Sequence, residues 1–213
     1  MSKEERPDPY INSIFSCPVY ITKRDSILTP EEEIDIDKIV DEEGIGKNFG
    51  NSFSNNSYIF NDKLKRIKQF CEQHLKIYVE KVICPSEAID LYITQSWLNI
   101  TKPGEAHHQH YHSNSIISGV FYISTEEDDK ISFEDPNCKL KEQIRFDVKE
   151  FNPFNSTTWV FPAITNELIL FPSWIDHQVG QNITATTDRI SLSFNTFIRG
   201  HLGNQLNKNE LFL

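Results

Sequence analysis

No apolar run in the chain approaches the ~20 residues needed to cross a bilayer, and the segment from Met1 to Pro7 lacks the apolar core of a signal peptide. A soluble, non-secreted, cytoplasmic protein with no membrane partner is therefore expected. Basic residues are in deficit, 21 against 31 acidic ones for a net charge of -10, so the backbone of a nucleic acid is an unsuitable partner. Cysteines are few: Cys17, Cys71, Cys84 and Cys138 lie far apart with no CxxC pair, which argues against a zinc ribbon and a disulfide framework and for a reducing compartment. Without a secretory route, the sequons at Asn55, Asn99, Asn155 and Asn182 are chance matches. No internal repeat or low-complexity segment is evident.

The 213 residues suffice for one sizeable core, and a single domain over 1–213 is expected. Residues 1–87 read as helical and irregular support, and 88–200 as the core. Tyr10 to Thr22, with Pro18 inside it, reads as an irregular or edge strand. Thr29-Pro30-Glu31-Glu32 is a capping box that opens a short acidic helix ending near Gly44, and 46–60 reads as loop. Leu64, Ile67, Cys71, Leu75, Tyr78 and Val82 recur every three or four residues, which predicts an amphipathic helix over 62–82 terminated by Pro85. His74 sits at the edge of its apolar stripe and reads as structural.

From Ala88 the texture changes to short β-rich runs near 89–100, 107–112, 116–123, 130–134, 143–148, 156–161, 167–171, 176–180 and 188–198. Strands at this spacing predict a mainly β sandwich or barrel, with the helices on one outer face of a sheet. In the run from Arg189 to Phe197, one face carries Arg189, Ser191, Ser193 and Asn195 and the other Ile190, Leu192, Phe194 and Thr196. Gln95, Trp97 and Asn99 make a second polar face, and together they suggest a polar interior.

Four of the seven histidines fall in His107-His108-Gln109-His110-Tyr111-His112. In extended chain His110 and His112 project from one face and Tyr111 from the other, which is half a metal site. The segment from Leu168 to Val179 runs through an apolar strand and a Pro172 turn before returning with His177, a candidate third nitrogen. Three imidazoles suit a divalent transition metal and leave coordination positions open. Further along, Arg189 can offer a planar fork to a carboxylate, with Ser191 adding a hydroxyl.

Asn99, Gly104, the HxH at 110–112, SGVFYI at 118–123, FEDP at 133–136, LILFPSWIDH at 168–177 and RISLSFN at 189–195 together resemble the 2-oxoglutarate and Fe(II)-dependent oxygenases. The nearest likeness is to a small group of members from marine bacteria and phages. SIFSCPVY at 13–20 and NTFIRGHLG at 195–203 extend the resemblance over nearly the whole chain. It implies a double-stranded β-helix, or cupin-like jelly roll, holding one Fe(II). It further implies His110 and His177 as ligands, Arg189 as the anchor of the 2-oxoglutarate cosubstrate, and Ser191, Asn99 and Trp97 bordering that cosubstrate. The implied chemistry is hydroxylation of a substrate not identified by the sequence, with dioxygen consumed and 2-oxoglutarate converted to succinate and carbon dioxide.

One position departs from the family. Where its members usually carry a carboxylate, this chain has His112. An all-histidine triad of His110, His112 and His177 is the first expectation; the alternatives are a carboxylate from Glu134 or Asp135, or recruitment of His107 or His108. His107 and His108 otherwise read as loop residues before the strand. Ser96 could also border the cosubstrate, and Tyr111, Asn114 and Trp174 could line the mouth. Two other functions remain open: a cupin-type metal enzyme that uses no 2-oxo acid, and a non-catalytic jelly-roll binding protein. Leu211-Phe212-Leu213 offers an apolar end to the core or to a partner, a homodimer among the alternatives.

Overall fold

The computed structural model describes residues 9, 11, 13–86, 88–138, 143–144, 146–203 and 209–211. Two antiparallel sheets form a jelly roll. The larger sheet takes strands β1 (Tyr20–Lys23), β2 (Ile45–Lys47), β3 (Ser52–Ser54), β4 (Ile89–Thr101), β6 (Ile117–Ser124), β9 (Glu167–Pro172), β11 (Arg189–Leu202) and β12 (Asn209–Leu211). Their order is β1-β9-β6-β11-β4-β3-β2, with β12 pairing on β11. The smaller sheet runs β5 (His107–His110), β10 (His177–Val179), β7 (Lys130–Glu134) and β8 (Thr158–Pro162).

Helix α1 (Pro30–Asp41) starts as the sequence predicts: Thr29 Oγ1 accepts from the Glu32 amide, and the Glu32 carboxylate accepts from the Thr29 amide. The same carboxylate accepts from Arg24 at 2.8 Å in a buried ion pair, which ties the helix start to the end of β1. Helix α2 (Lys65–Tyr78) has no side-chain cap of its own; Asp35 of α1 accepts from the Leu64 amide instead. A π-helical turn over 79–83 and a left-handed Cys84 finish the helical segment before Pro85.

The predicted stripe is buried from Leu64 to Tyr78, whereas Val82, beyond the end of α2 in the π-helical turn, is exposed. Ile67, Cys71, Leu75 and Tyr78 join Leu98, Phe121, Leu168, Leu170, Leu192 and Phe194 in one apolar cluster, so α2 covers the outer face of the large sheet. A second cluster lies between the sheets, where Val120, Tyr122, Ile169 and Phe171 meet Ile131, Phe133 and Ile175. His74 is structural, bonded to the Tyr20 hydroxyl at 2.7 Å.

Several elements differ from the sequence-based expectation. Residues 46–60 are not plain loop: β2 and β3 form a hairpin that extends the large sheet beside β4. Among the described residues, the N-terminal irregular strand is β only over Tyr20–Lys23, paired to β9. No strand forms at the described residues of 143–148; β7 pairs with β10 on one side and β8 on the other. Ile144 and Phe146 alternate there without a face to bury against and are exposed. The side chains of Leu211, Phe212 and Leu213 lie outside the described residues. Among the described residues no helix is long and apolar enough to cross a membrane.

Candidate metal centre

Strand pairing assembles the site. His177 opens β10 directly opposite His110, the last residue of β5. His112 lies two residues beyond β5 and is held there by its own amide, which donates to the Ser173 carbonyl at 2.9 Å. One ligand-capable atom from each of His110, His112 and His177 lies within 4.8 Å of the others. Tyr111 points away and is largely exposed, as strand alternation requires.

Each imidazole is oriented through Nδ1. His110 donates to the His108 carbonyl at 2.8 Å and His177 to the Ile175 carbonyl at 3.1 Å. His112 Nδ1 lies 2.6 Å from Ser118 Oγ, whose own proton goes to Asn195 Oδ1 at 2.9 Å. All three rings therefore keep an unprotonated Nε2, the form in which an imidazole binds a metal. Burial, then the neighbouring His110, depresses the pKa of His112 to about 4 and of His177 to about 2. Burial likewise lowers that of His110. The rings are neutral at pH 7, and a divalent cation there meets no competing protons.

His107 and His108 lie in β5, as the β-rich run at 107–112 predicts and against their reading as loop residues before the strand. His107 stacks on His110 with ring centroids 4.4 Å apart and takes a contact from Asn48 at 3.3 Å. Neither belongs to the three-residue ligand group, and neither do Glu134 and Asp135. The Glu134 carboxylate is engaged elsewhere, accepting from Gln109 and from Cys138 Sγ.

At the start of β11 the guanidinium of Arg189 is buried, and its Nη1 donates to Asp129 Oδ1 at 2.5 Å. Its Nη2 is buried without a partner, and so is the hydroxyl of Tyr122. Burial pushes the Tyr122 phenol above its usual range, and the Arg189 charge acts on it in the opposite direction. Ser191 and Asn99 sit opposite each other in the β11–β4 register; Asn99 Nδ2 donates to Ser193 at 2.9 Å, and its Oδ1 is buried and unpartnered. Trp97 meets the His112 ring edge to face at 5.8 Å. Ser96 faces the other way and accepts from the Phe60 amide, so it borders the helical layer rather than the interior. Trp174 is exposed, and Asn114 adopts a left-handed turn.

Sequence reasoning missed Ser118, Tyr122 and Asp129. Ser118 and Tyr122 sit in a run that reads as wholly apolar, and Asp129 closes an acidic turn that looks solvated.

Residues 95–195, which carry every one of these groups, match the family model described as "Putative 2OG-Fe(II) oxygenase". Over this segment the chain is similar to the 2OG-Fe(II) oxygenase family. None of the curated proteins matches the chain significantly. Solved structures share the fold. A 2OG-Fe(II) oxygenase family oxidoreductase from Burkholderia pseudomallei superposes with TM-score 0.53 at 11% identity, over 84% of this chain and 83% of that one. A prolyl-4-hydroxylase from Pseudomonas putida gives TM-score 0.52 at 11% identity, over 87% and 95%. HygX from Streptomyces hygroscopicus, with nickel and 2-oxoglutarate bound, gives 0.53 at 9% identity, over 84% and 82%. At such identities the likeness speaks for the jelly-roll fold.

Proposed function

We propose that this chain is an Fe(II)- and 2-oxoglutarate-dependent dioxygenase, acting as a hydroxylase, with His110, His112 and His177 as metal ligands and Arg189 as cosubstrate anchor. One observation carries the reading: ligand-capable atoms of His110, His112 and His177 lie within 4.8 Å of one another, and Arg189 at the start of β11 keeps a buried, unpartnered Nη2, as the Tyr122 hydroxyl is buried and unpartnered. Buried donors of this kind are costly unless a ligand or water meets them, and a carboxylate is the acceptor that suits both. The family's iron and 2-oxo acid, once bound, would supply oxidative decarboxylation to succinate and carbon dioxide coupled to insertion of oxygen into a C–H bond.

The chain's own residues have defined tasks. The three neutral imidazoles leave the charge of a divalent cation uncompensated, which favours an anionic chelator in the open positions. Arg189 Nη2 and the Tyr122 hydroxyl would hold the far carboxylate, and Ser191, Asn99 and Trp97 would border it. The buried apolar wall of Ile131, Phe133 and Phe171 keeps water out. Residues 1–213 act as one domain, with 1–87 supporting the 88–200 core.

A second reading has a specific observation in its favour: Asp129 already neutralises Arg189, as would suit a cupin-like metal enzyme that takes no 2-oxo acid. Titrating anaerobic Fe(II)-loaded protein with 2-oxoglutarate separates the two. A visible charge-transfer band that disappears in Arg189→Ala supports the first reading; iron binding without any such band supports the second.

A further inference from the structure

We propose that Ser118 is a positioning residue that makes His112 competent as a ligand in place of the carboxylate its family usually carries. The inference rests on the reading of His112 as a metal ligand. His110 and His177 each find their Nδ1 acceptor in a backbone carbonyl two residues upstream, which comes with the local chain geometry. His112 has no such carbonyl partner. Its Nδ1 meets the hydroxyl of Ser118, a fully buried residue of β6, at 2.6 Å.

A hydroxyl can accept from an imidazole or donate to it, so Ser118 alone would leave the tautomer of His112 undetermined. Asn195 removes that freedom. Its Oδ1 carries no proton and lies 2.9 Å from Ser118 Oγ, so the serine proton is committed to it. The amide of Asn195 is oriented in turn, since its Nδ2 donates to Gln95 Oε1 at 3.3 Å. Ser173 lies 2.8 Å from Ser118 Oγ, and its own proton goes to Ser115 at 2.7 Å. The direction of donation then runs one way, from His112 through Ser118 and Asn195 to Gln95. At its start, Nδ1 of His112 is protonated and Nε2 is presented to the metal.

Beyond His112, the members of this relay lie on three different strands. Ser118 and Asn195 are register partners across the β6–β11 pair, and Gln95 faces Asn195 across β11–β4. Sheet register thus sets the tautomer of a ligand that lies outside any strand.

The test uses metal-free, ring-15N-labelled protein, in which imidazole nitrogen shifts report each tautomer, followed by anaerobic Fe(II) titration. In Ser118→Ala and in Asn195→Ala the His112 ring gains Nε2–H population while His110 and His177 remain Nδ1–H. Fe(II) affinity falls by about 10–100-fold, the usual effect of losing the hydrogen-bond partner of a ligand. Asn195→Asp, which keeps an acceptor oxygen against Ser118, retains the parent tautomer. An unchanged His112 tautomer in both alanine variants overturns the proposal, as does an equal tautomer change at all three rings. Unchanged Fe(II) affinity in His112→Ala would instead overturn the ligand reading beneath it, whatever the tautomers show.

Discussion

Arg189 and Asp129 form a buried ion pair that engages only one terminal amine of the guanidinium. Asp129 is itself fixed: it accepts from the Glu126 amide at 2.8 Å and from Asn182 at 3.3 Å. The pair therefore aims Nη2 while cancelling the charge behind it. In Asp129→Asn the aim is kept and the cancellation lost, so 2-oxoglutarate should bind more tightly. Asp129→Ala should destabilise the fold by about 3–5 kcal/mol, since it strands a buried charge. Equilibrium denaturation and anaerobic cosubstrate titration check both; weaker binding in well-folded Asp129→Asn would show that the carboxylate does not compete with the cosubstrate.

His110→Ala and His177→Ala should each abolish tight Fe(II) binding, because two remaining imidazoles cannot hold a divalent ion as three can. Glu134→Gln should leave the affinity within a factor of about two, its carboxylate being engaged with Gln109 and Cys138 instead. Metal content after anaerobic loading and desalting reads all three. Strong loss of iron in Glu134→Gln would return the carboxylate to the metal shell.

Gly119 belongs to the run SGVFYI and has no side chain for a packing reason. A Cβ there would lie 2.2 Å from Cζ of Phe194, the ring that joins β11 to the helical layer. That ring is fully buried and has nowhere to retreat. Gly119→Ala should cost about 1–3 kcal/mol by overpacking, read as a lowered melting temperature. An unchanged midpoint would mean that Phe194 can repack.

Much of this was legible in the chain because it depends on period. The stripe from Ile67 to Tyr78 and the alternation from Arg189 to Asn195 are one-dimensional patterns, and each faces the layer its pattern predicts. The triad could be suspected for the same reason, since HxH in extended chain places two rings together. What was not legible depends on partners distant in sequence. Ile144 and Phe146 alternate as a strand would, but β7 is flanked by β10 and β8 rather than by them. Ser118 looks like one more residue of an apolar strand until Asn195 stands beside it. The role of Asp129 emerges only when β11 begins with Arg189 against it. Residues 46–60 have the composition of a loop; the open edge of β4 is what draws them into a hairpin.

The histidine cluster also sets how the metal-free protein responds to acid. His107, His112 and His177 have pKa values of about 3, 4 and 2, depressed chiefly by burial and further by one another. An unfolded chain titrates its histidines near 6.5. Above that pH neither state is protonated, and the cluster adds no slope to stability. Between about 6.5 and the depressed values, the unfolded chain holds protons that the native cluster refuses, so stability falls as the pH falls. For the buried His177 the slope approaches about 1.4 kcal/mol per pH unit. Urea midpoints of metal-free protein should therefore drop between pH 7.5 and pH 5.5, and His177→Gln should flatten that dependence. Fe(II) opposes the effect, because it binds only the neutral rings; at saturating metal the midpoint should hold to lower pH. If parent and His177→Gln lose stability equally over this interval, the buried imidazole is not the group that refuses the proton.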